Sequence, residues 1–466
     1  MSSSDRRAFL KGLSAAAMAA TFQNLGRELI AGMPARDFVE RSLRPSAEAE
    51  WQLQPATDLA TGEKFLELPE GFEYVTYGWT NQPLEDGAPT PSDHDGMAVI
   101  SEQGDELVLC RNHEVALPGK EPKAEQHYYD PHGRGGCTNL RFDRRGKKFV
   151  SSWTSLAGTV KNCSGGLTPW GTWLSCEETV ASPGDQLEET PDNPLVREHG
   201  FVFEVGVEGN SEPKPIMALG RFVHEAVAID PATGIVYLTE DTHTAGLYRL
   251  VPDQPGNLSA GGKFEMLAAR QVKDCRRDVT TDQVWDVYWV GIEDRLRAHS
   301  PGTKDGLGVY QQGKAHGGLT FARLEGCAFH AGRLLVTATS GGNAASGQVW
   351  EYDPVGEKLR LLLESPGAAV LDMPDNLAIH PQGAVLLCED GKLTPQRLQI
   401  LSPAGKLLPF AKNNLIVRGL HGHDGDFRNS EWAGACFSRD GEWLFANIQR
   451  PGVTVAIRGP WSELWN

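Results

Sequence analysis

Short apolar runs in this chain repeatedly stop at a polar turn carrying glycine and then resume, a pattern that predicts β-hairpins. Six segments show it: GMAVISEQGDELVLCRNHE from Gly96, GGLTPWGTWLSCEE from Gly165, EAVAIDPATGIVYLTED from Glu225, EGCAFHAGRLLVTATSGG from Glu325, NLAIHPQGAVLLCED from Asn376 and GACFSRDGEWLFANIQ from Gly434. No helical periodicity separates them, and FVFEV at 201–205 and VWEYDP at 349–354 read as outer or intervening strands. Similar hairpins spread over a whole chain predict an all-β fold, a six-bladed β-propeller formed by residues 36–466 as one domain.

Aligning the copies on the turn glycine exposes a second regularity. Six residues beyond it stand Glu177 (from Gly171), Glu240 (from Gly234), Glu389 (from Gly383) and Asn447 (from Gly441), whereas Gly332 leads to Ala338. In an antiparallel hairpin the residue opening the first strand lies beside the one closing the second. Glu225 is therefore expected near Glu240 and Asp241, and Asp375 and Asn376 near Glu389 and Asp390. Equivalent strand ends meet around one mouth of a propeller's channel. That mouth is expected to gather Glu177, Glu178, Glu225, Glu240, Glu325 and Glu389, with Asn112 and Cys176, as an active site. Crowded carboxylates repel one another unless a counter-charge is present. Bound metal supplies it naturally; a salt-bridged or water-filled mouth is the alternative. Oxygen ligands suit calcium, magnesium or ferric iron, and a thiolate adds a preference for a transition metal.

Composition narrows the partners. The 52 glycines and 29 prolines fit many turns and short strands. A net charge of −17 opposes binding to nucleic acid or an anionic membrane and favours cations. The 8 cysteines include no C-x-x-C pair, so most read as free thiols in strands. At the N-terminus, Asp5-Arg6-Arg7-Ala8-Phe9-Leu10-Lys11 resembles a twin-arginine export signal, and the apolar run from Gly12 to Ala20 is too short for a stable membrane anchor. Residues 1–35 are taken as this signal, cleaved between Ala20 and Ala35, which places the protein in the periplasm or outside the cell.

The motifs TPWGTWLSCEE (168–178), GRFVHEAVAIDPATGIVYLTED (220–241), RLEGCAF (323–329), MPDNLAIHPQGAVLLCED (373–390) and EWAGACFSRDGEWLFANIQRPGVTVAIRGPW (431–461) occur in order, with LCRNHE (109–114) before them. In these segments the chain resembles the PhoX-type alkaline phosphatases. The resemblance implies a monomeric six-bladed propeller, exported folded by the twin-arginine machinery, that releases phosphate from phosphomonoesters. It also implies a site holding two ferric irons (Fe3+) and three calcium ions (Ca2+). On that basis Cys176 is the expected thiolate ligand to iron. Glu177, Glu225, Glu240, Glu325 and Glu389 are the expected carboxylate ligands, with Asp241, Glu178 and Asp390 as further candidates. Asn112 and Arg323 are expected to hold the phosphate oxygens. Two other readings compete. A calcium-dependent propeller lactonase has no use for a thiolate, and a non-catalytic propeller rigidified by calcium predicts calcium without iron.

Overall fold

Each of the six expected hairpins forms, because alternating apolar residues meet a turn in which glycine takes a positive φ, as at Gly171 (81°) and Gly234 (75°). The structure, a computed structural model, describes residues 52–464 except 116–120, 123–127, 187–192, 210–212 and 282. The twin-arginine signal expected at 1–35 lies outside the described residues.

The first strands of the hairpins are His94–Gln103, Asn162–Leu167, His224–Ile229, Leu324–His330, Pro374–Ile379 and Trp432–Phe437. Their antiparallel partners are Glu106–His113, Trp173–Glu177, Val236–Glu240, Arg333–Ala338, Val385–Glu389 and Trp443–Ile448. The expected third strands follow, Val202–Val205 beside Trp173–Glu177 and Gln348–Asp353 beside Arg333–Ala338. Each first strand packs on the next in chain order, and Trp432–Phe437 packs back on His94–Gln103. The fold is all-β and propeller-like. Among the described residues its strands form sheets of nine, six, four, four, three and two. In the nine-stranded sheet two hairpin units are joined edge to edge, where Val284–Gly291 pairs with Lys358–Glu364.

The ends of the chain close the circle. Glu73–Tyr77 pairs antiparallel with Val453–Arg458, so an early strand completes the last sheet. Apolar layers between neighbouring sheets hold the units together. One unites Ala226, Ala228 and Tyr237 with Leu324, Leu334, Val336 and Trp350. Close approach around the ring also demands small residues. A Cβ on Gly96 would lie 2.6 Å from Ser164 Cα, one on Gly326 2.7 Å from the Asp375 carbonyl, and one on Gly434 2.3 Å from the Asp95 carbonyl. Helix is confined, among the described residues, to Gly308–Ala315 and three 3-10 turns. No described helix is long and apolar enough to cross a membrane.

Candidate functional site

Every first strand carries the same irregularity. The ladder slips between His94 and Met97, Asn162 and Gly165, His224 and Val227, Leu324 and Cys327, Pro374 and Leu377, and Ala433 and Cys436. A bulge frees residues from pairing and re-aims their side chains. In five units the first freed residue is Asp95, Cys163, Glu225, Glu325 or Asp375. These side chains converge at one end of the ring. The Glu225 carboxyl, for example, lies close enough to Asp375, Glu178 and Asp95 of other units to be pushed up by them after burial has acted.

A second set comes from the residue after each second strand. Its amide donates to the carbonyl of the residue that precedes the first strand. The bond joins Glu114 to Asp93 (2.9 Å), Glu178 to Lys161 (2.9 Å), Asp241 to Val223 (3.2 Å), Thr339 to Arg323 (2.9 Å), Asp390 to Met373 (3.0 Å) and Gln449 to Glu431 (3.3 Å). Glu114, Glu178, Asp241 and Asp390 thereby join the mouth. Two groups are compact enough for a cation, Asp95 with Glu114 and Glu431, and Asp375 with Asp390 and Glu431, the ligand atoms of each group lying within 4.8 Å of one another.

The electrostatics point to cations. Burial pushes the carboxyls of Asp95, Glu178, Glu225, Glu325 and Glu431 well above their ordinary range, and a neighbouring carboxylate pushes each further. Burial also raises Asp375 to about 7, against a hydrogen bond from Glu325 that lowers it. Three basic side chains offset part of this charge, one of them Arg450, which lies 2.9 Å from Asp93 and interacts with Glu114 and Glu431. Arg323 Nε lies 3.1 Å from Asp241 Oδ1, and its Nη2 lies 2.5 Å from Glu325 Oε1. Lys161 Nζ lies 2.9 Å from Glu178 Oε2. The buried Cys163 thiol donates to the His224 carbonyl (3.4 Å) at the edge of the apolar layer that also holds Cys176, and Glu225 and Glu178 lie close enough to push it up after burial has acted. Mostly carboxylate oxygens with one sulfur is a donor set suited to hard cations together with a transition metal.

Of the residues singled out in the sequence, the structure brings Glu178, Glu225, Asp241, Glu325 and Asp390 to this mouth, with Arg323. Glu177, Glu240 and Glu389 turn instead into their own sheets. Glu177 accepts from the amides of Val160 (2.9 Å), Gly200 (2.8 Å) and Phe201 (3.1 Å) and from His199 Nδ1 (2.6 Å). Glu240 accepts from the Gly246 amide (2.8 Å) and the Tyr248 hydroxyl (2.7 Å). Glu389 forms a fork with Arg397, at 2.7 Å from Nε and 2.7 Å from Nη2. The shared offset from the turn glycine thus marks a repeated clasp between the end of the second strand and the segment that follows. Glu177 and Glu389 each have four internal donors, which uses up their acceptor sites, whereas Glu240 has two on Oε2 and leaves its buried Oε1 without a partner.

Cys176 lies in the apolar layer with Leu174, Val202, Leu238 and Tyr248. Alternation along Trp173–Glu177 puts it on the packing face of the sheet. Asn112 is fully buried. Its Nδ2 donates to the carbonyls of Cys163 (3.0 Å) and Ser164 (2.7 Å), and its Oδ1 accepts from Trp173 (2.8 Å), Ser175 (2.9 Å) and Cys137 (3.1 Å). Thr239, Thr337 and Asn447 make the matching bond to the carbonyls of Glu325, Asp375 and Asp95, each at 2.6 Å. Asn112 is therefore one of a set of inter-unit clasps that fix the bulges, and its amide is committed to that task.

Sequence reasoning missed Asp95, Glu114, Cys163 and Glu431 as site residues. A signal was present in the openings HDG, NCS, HEA and LEG, where a polar or thiol residue precedes a small one; PDN departs from it with Asn376. The small residue accommodates the neighbouring strand and its predecessor faces the channel.

The chain is an all-β propeller-like protein whose carboxylate-rich mouth has two groups compact enough to hold a cation. Consistent with that, the sequence matches the family described as alkaline phosphatase PhoX over residues 52–452. The chain belongs to the PhoX alkaline phosphatase family. No curated protein matches it. Similar solved structures include a gluconolactonase from Xanthomonas campestris (12% identity, TM-score 0.41, 90% of this chain and 99% of that one). A protein of unknown function from Bacteroides thetaiotaomicron (9%, 0.43, 84% and 78%) and the WD40 β-propeller domain of Doa1 (9%, 0.37, 84% and 99%) are also similar.

Proposed function

We propose that the protein is an exported, metal-dependent phosphomonoesterase working at the mouth of a six-bladed propeller. Family membership supports phosphate-ester hydrolysis. The count of six blades rests on the cyclic packing of six first strands, with the nine-stranded sheet taken as two blades joined at their outer edges. Export by the twin-arginine route and a monomeric state rest on the sequence resemblance.

The observation that carries the reading is the convergence of buried carboxylates, one thiol and the Arg323 guanidinium on a single channel mouth. In this reading Asp95, Glu114, Glu431, Asp375 and Asp390 hold the cations of the two compact groups, and Cys163 takes the thiolate role expected of Cys176. Glu178, Glu225 and Glu325 complete the donor set. Ferric iron and calcium are the ions the resemblance names, and when bound they supply charge neutralisation and an activated oxygen nucleophile. The chain's own contribution is positional. The bulges aim the ligands, the Asn112, Thr239, Thr337 and Asn447 clasps hold the bulges, and Arg323 offers a fork to two phosphate oxygens. An anionic ester competes with Asp241 and Glu325 for that guanidinium.

Hydrolysis of p-nitrophenyl phosphate by the full chain, before and after chelation and with iron and calcium restored, tests the proposal. Activity lost on chelation and regained on restoration is expected. A protein inactive under every metal condition contradicts it.

A further inference from the structure

The six residues that precede the first strands occupy equivalent places, since the carbonyl of each accepts the repeated amide bond. Four of them share a left-handed backbone: Asp93 (φ 48°), Lys161 (49°), Arg323 (48°) and Met373 (55°). That conformation is uncommon away from glycine and here belongs to the repeat. What distinguishes the positions is the side chain. Basic residues stand at two of them, Lys161 and Arg323, with the uncharged Val223 between.

The two cations lie on one continuous arc of the rim. Lys161 Nζ pairs with Glu178 at 2.9 Å and approaches Glu114 at 3.6 Å. Arg323 pairs with Asp241 at 3.1 Å. Glu178 and Asp241 are themselves close enough to interact. The remaining sector holds the two carboxylate groups that share Glu431. The two cations therefore border the carboxylate groups: Lys161 reaches Glu114 of the first, and the Arg323 charge acts on Asp375 and Asp390 of the second, while Arg450 lies on the far side at Asp93. Solvent reaches those charges. The Lys161 and Arg323 side chains are 35% and 24% exposed, against 2% for Glu325.

We propose that Lys161 is a second anion-binding residue, which with Arg323 holds the phosphate group of the substrate at the rim. The ester part of this statement rests on the phosphatase reading; the anion site rests on the geometry alone. The arrangement at Lys161 repeats that at Arg323. Each cation is parked on mouth carboxylates from which an incoming dianion displaces it. Their chemistry differs usefully, since the guanidinium grips two oxygens in a fixed fork and the ammonium follows the phosphate as a mobile point charge.

Equilibrium dialysis of radiolabelled inorganic phosphate against the full metal-loaded chain, with steady-state kinetics on p-nitrophenyl phosphate, tests this. Lys161→Ala and Lys161→Met are expected to weaken phosphate binding and raise KM by about tenfold, the effect of losing one charge-assisted bond, with metal content unchanged. Lys161→Arg is expected to restore most of the affinity. Unchanged phosphate affinity per metal-loaded chain in the Ala and Met variants overturns the proposal and makes Lys161 a brace for Glu178. Should those variants not fold, wild-type protein suffices. Phosphate is expected to protect Lys161 from acetylation, read by mass spectrometry, and equal labelling with and without phosphate overturns the proposal. A wild-type chain that binds phosphate through Lys161 yet hydrolyses no ester overturns the phosphatase reading and leaves the anion site standing.

Discussion

Glu178 and Lys161 are joined twice, by an amide-to-carbonyl bond of 2.9 Å and by an ion pair of 2.9 Å between their side chains. The backbone bond recurs at all six equivalent positions, whereas the ion pair depends on which side chains stand there. The scaffold thus repeats while its chemistry varies, and the predictions below separate the two.

The two cysteines offer the sharpest contrast. Cys163→Ser should abolish most activity and any thiolate-to-iron absorption band, because Cys163 is the residue its bulge frees at the strand opening, in the place held by Asp95, Glu225, Glu325 and Asp375 in the other units. Cys176→Ser should retain the band and cost about 1–3 kcal/mol of stability, the price of a hydroxyl in an apolar layer. Visible spectra and thermal melts of the two variants decide it, and the opposite assignment of the band would return the ligand role to Cys176.

Glu177→Gln should destabilise the fold by about 3 kcal/mol or more without removing bound metal. It breaks a buried charge network, in which His199 lies 2.6 Å from Glu177 and 3.4 Å from Asp130. Loss of metal without loss of stability in a chemical melt would contradict the placement of Glu177 in the sheet.

The same network makes stability depend on pH. Burial opposes a charge on His199, but the Glu177 carboxylate and the bond to Asp130 outweigh it and lift the imidazole to about 9. A group raised on folding contributes fully below its unfolded value, about 6.5, and loses that contribution as pH rises through the folded value. Unfolding free energy should therefore fall between those limits by about 3 kcal/mol. Glu177→Gln should flatten this slope, which denaturant titrations across the range will reveal.

Chelated protein should show a pH dependence of its own. Asp375 is raised by burial to about 7, and Asp95, Glu225 and Glu325 are raised in the same direction. Carboxyls raised on folding stabilise the protein while protonated, below their ordinary range, and cease to do so as pH climbs through the folded values. Melting temperature of the metal-free chain should drop from pH 5 to pH 8, where about 5–8 spans the titration of such groups, while the metal-loaded chain changes little. Equal melting profiles with and without metal would contradict cation binding at this mouth.

Arg323→Ala should lower kcat about a hundredfold, the scale of losing one positioned donor to a developing charge, with metal content nearly intact. Iron and activity falling together would show that Arg323 holds the Asp241 and Glu325 carboxylates in place instead.

The hairpins were legible because their cause is local. Alternating apolar residues and a glycine turn need no knowledge of the rest of the chain. Glu225 and Glu325 were also legible, because antiparallel pairing places a strand's opening residue at the sheet's end. The direction of side chains at those ends was not. A regular strand running through Cys176 and Glu177 suggests that either can reach the channel, whereas the bulge after Asn162 frees Cys163 at the strand opening, a feature that alternation along one strand does not reveal. Asn112 misled for a related reason. Its amide satisfies carbonyls that bulging exposes on the next first strand, 51 residues away, and pairing patterns within one hairpin carry no sign of it. Asp95 and Glu431 come together only because the chain closes on itself between Trp432–Phe437 and His94–Gln103.

Elemental analysis of protein purified after export, run beside p-nitrophenyl phosphate hydrolysis, tests the central claim most directly. Iron and calcium bound together, and removed by chelation in step with phosphatase activity, are the predicted result. Calcium without iron, in a protein that releases no phosphate, would contradict it.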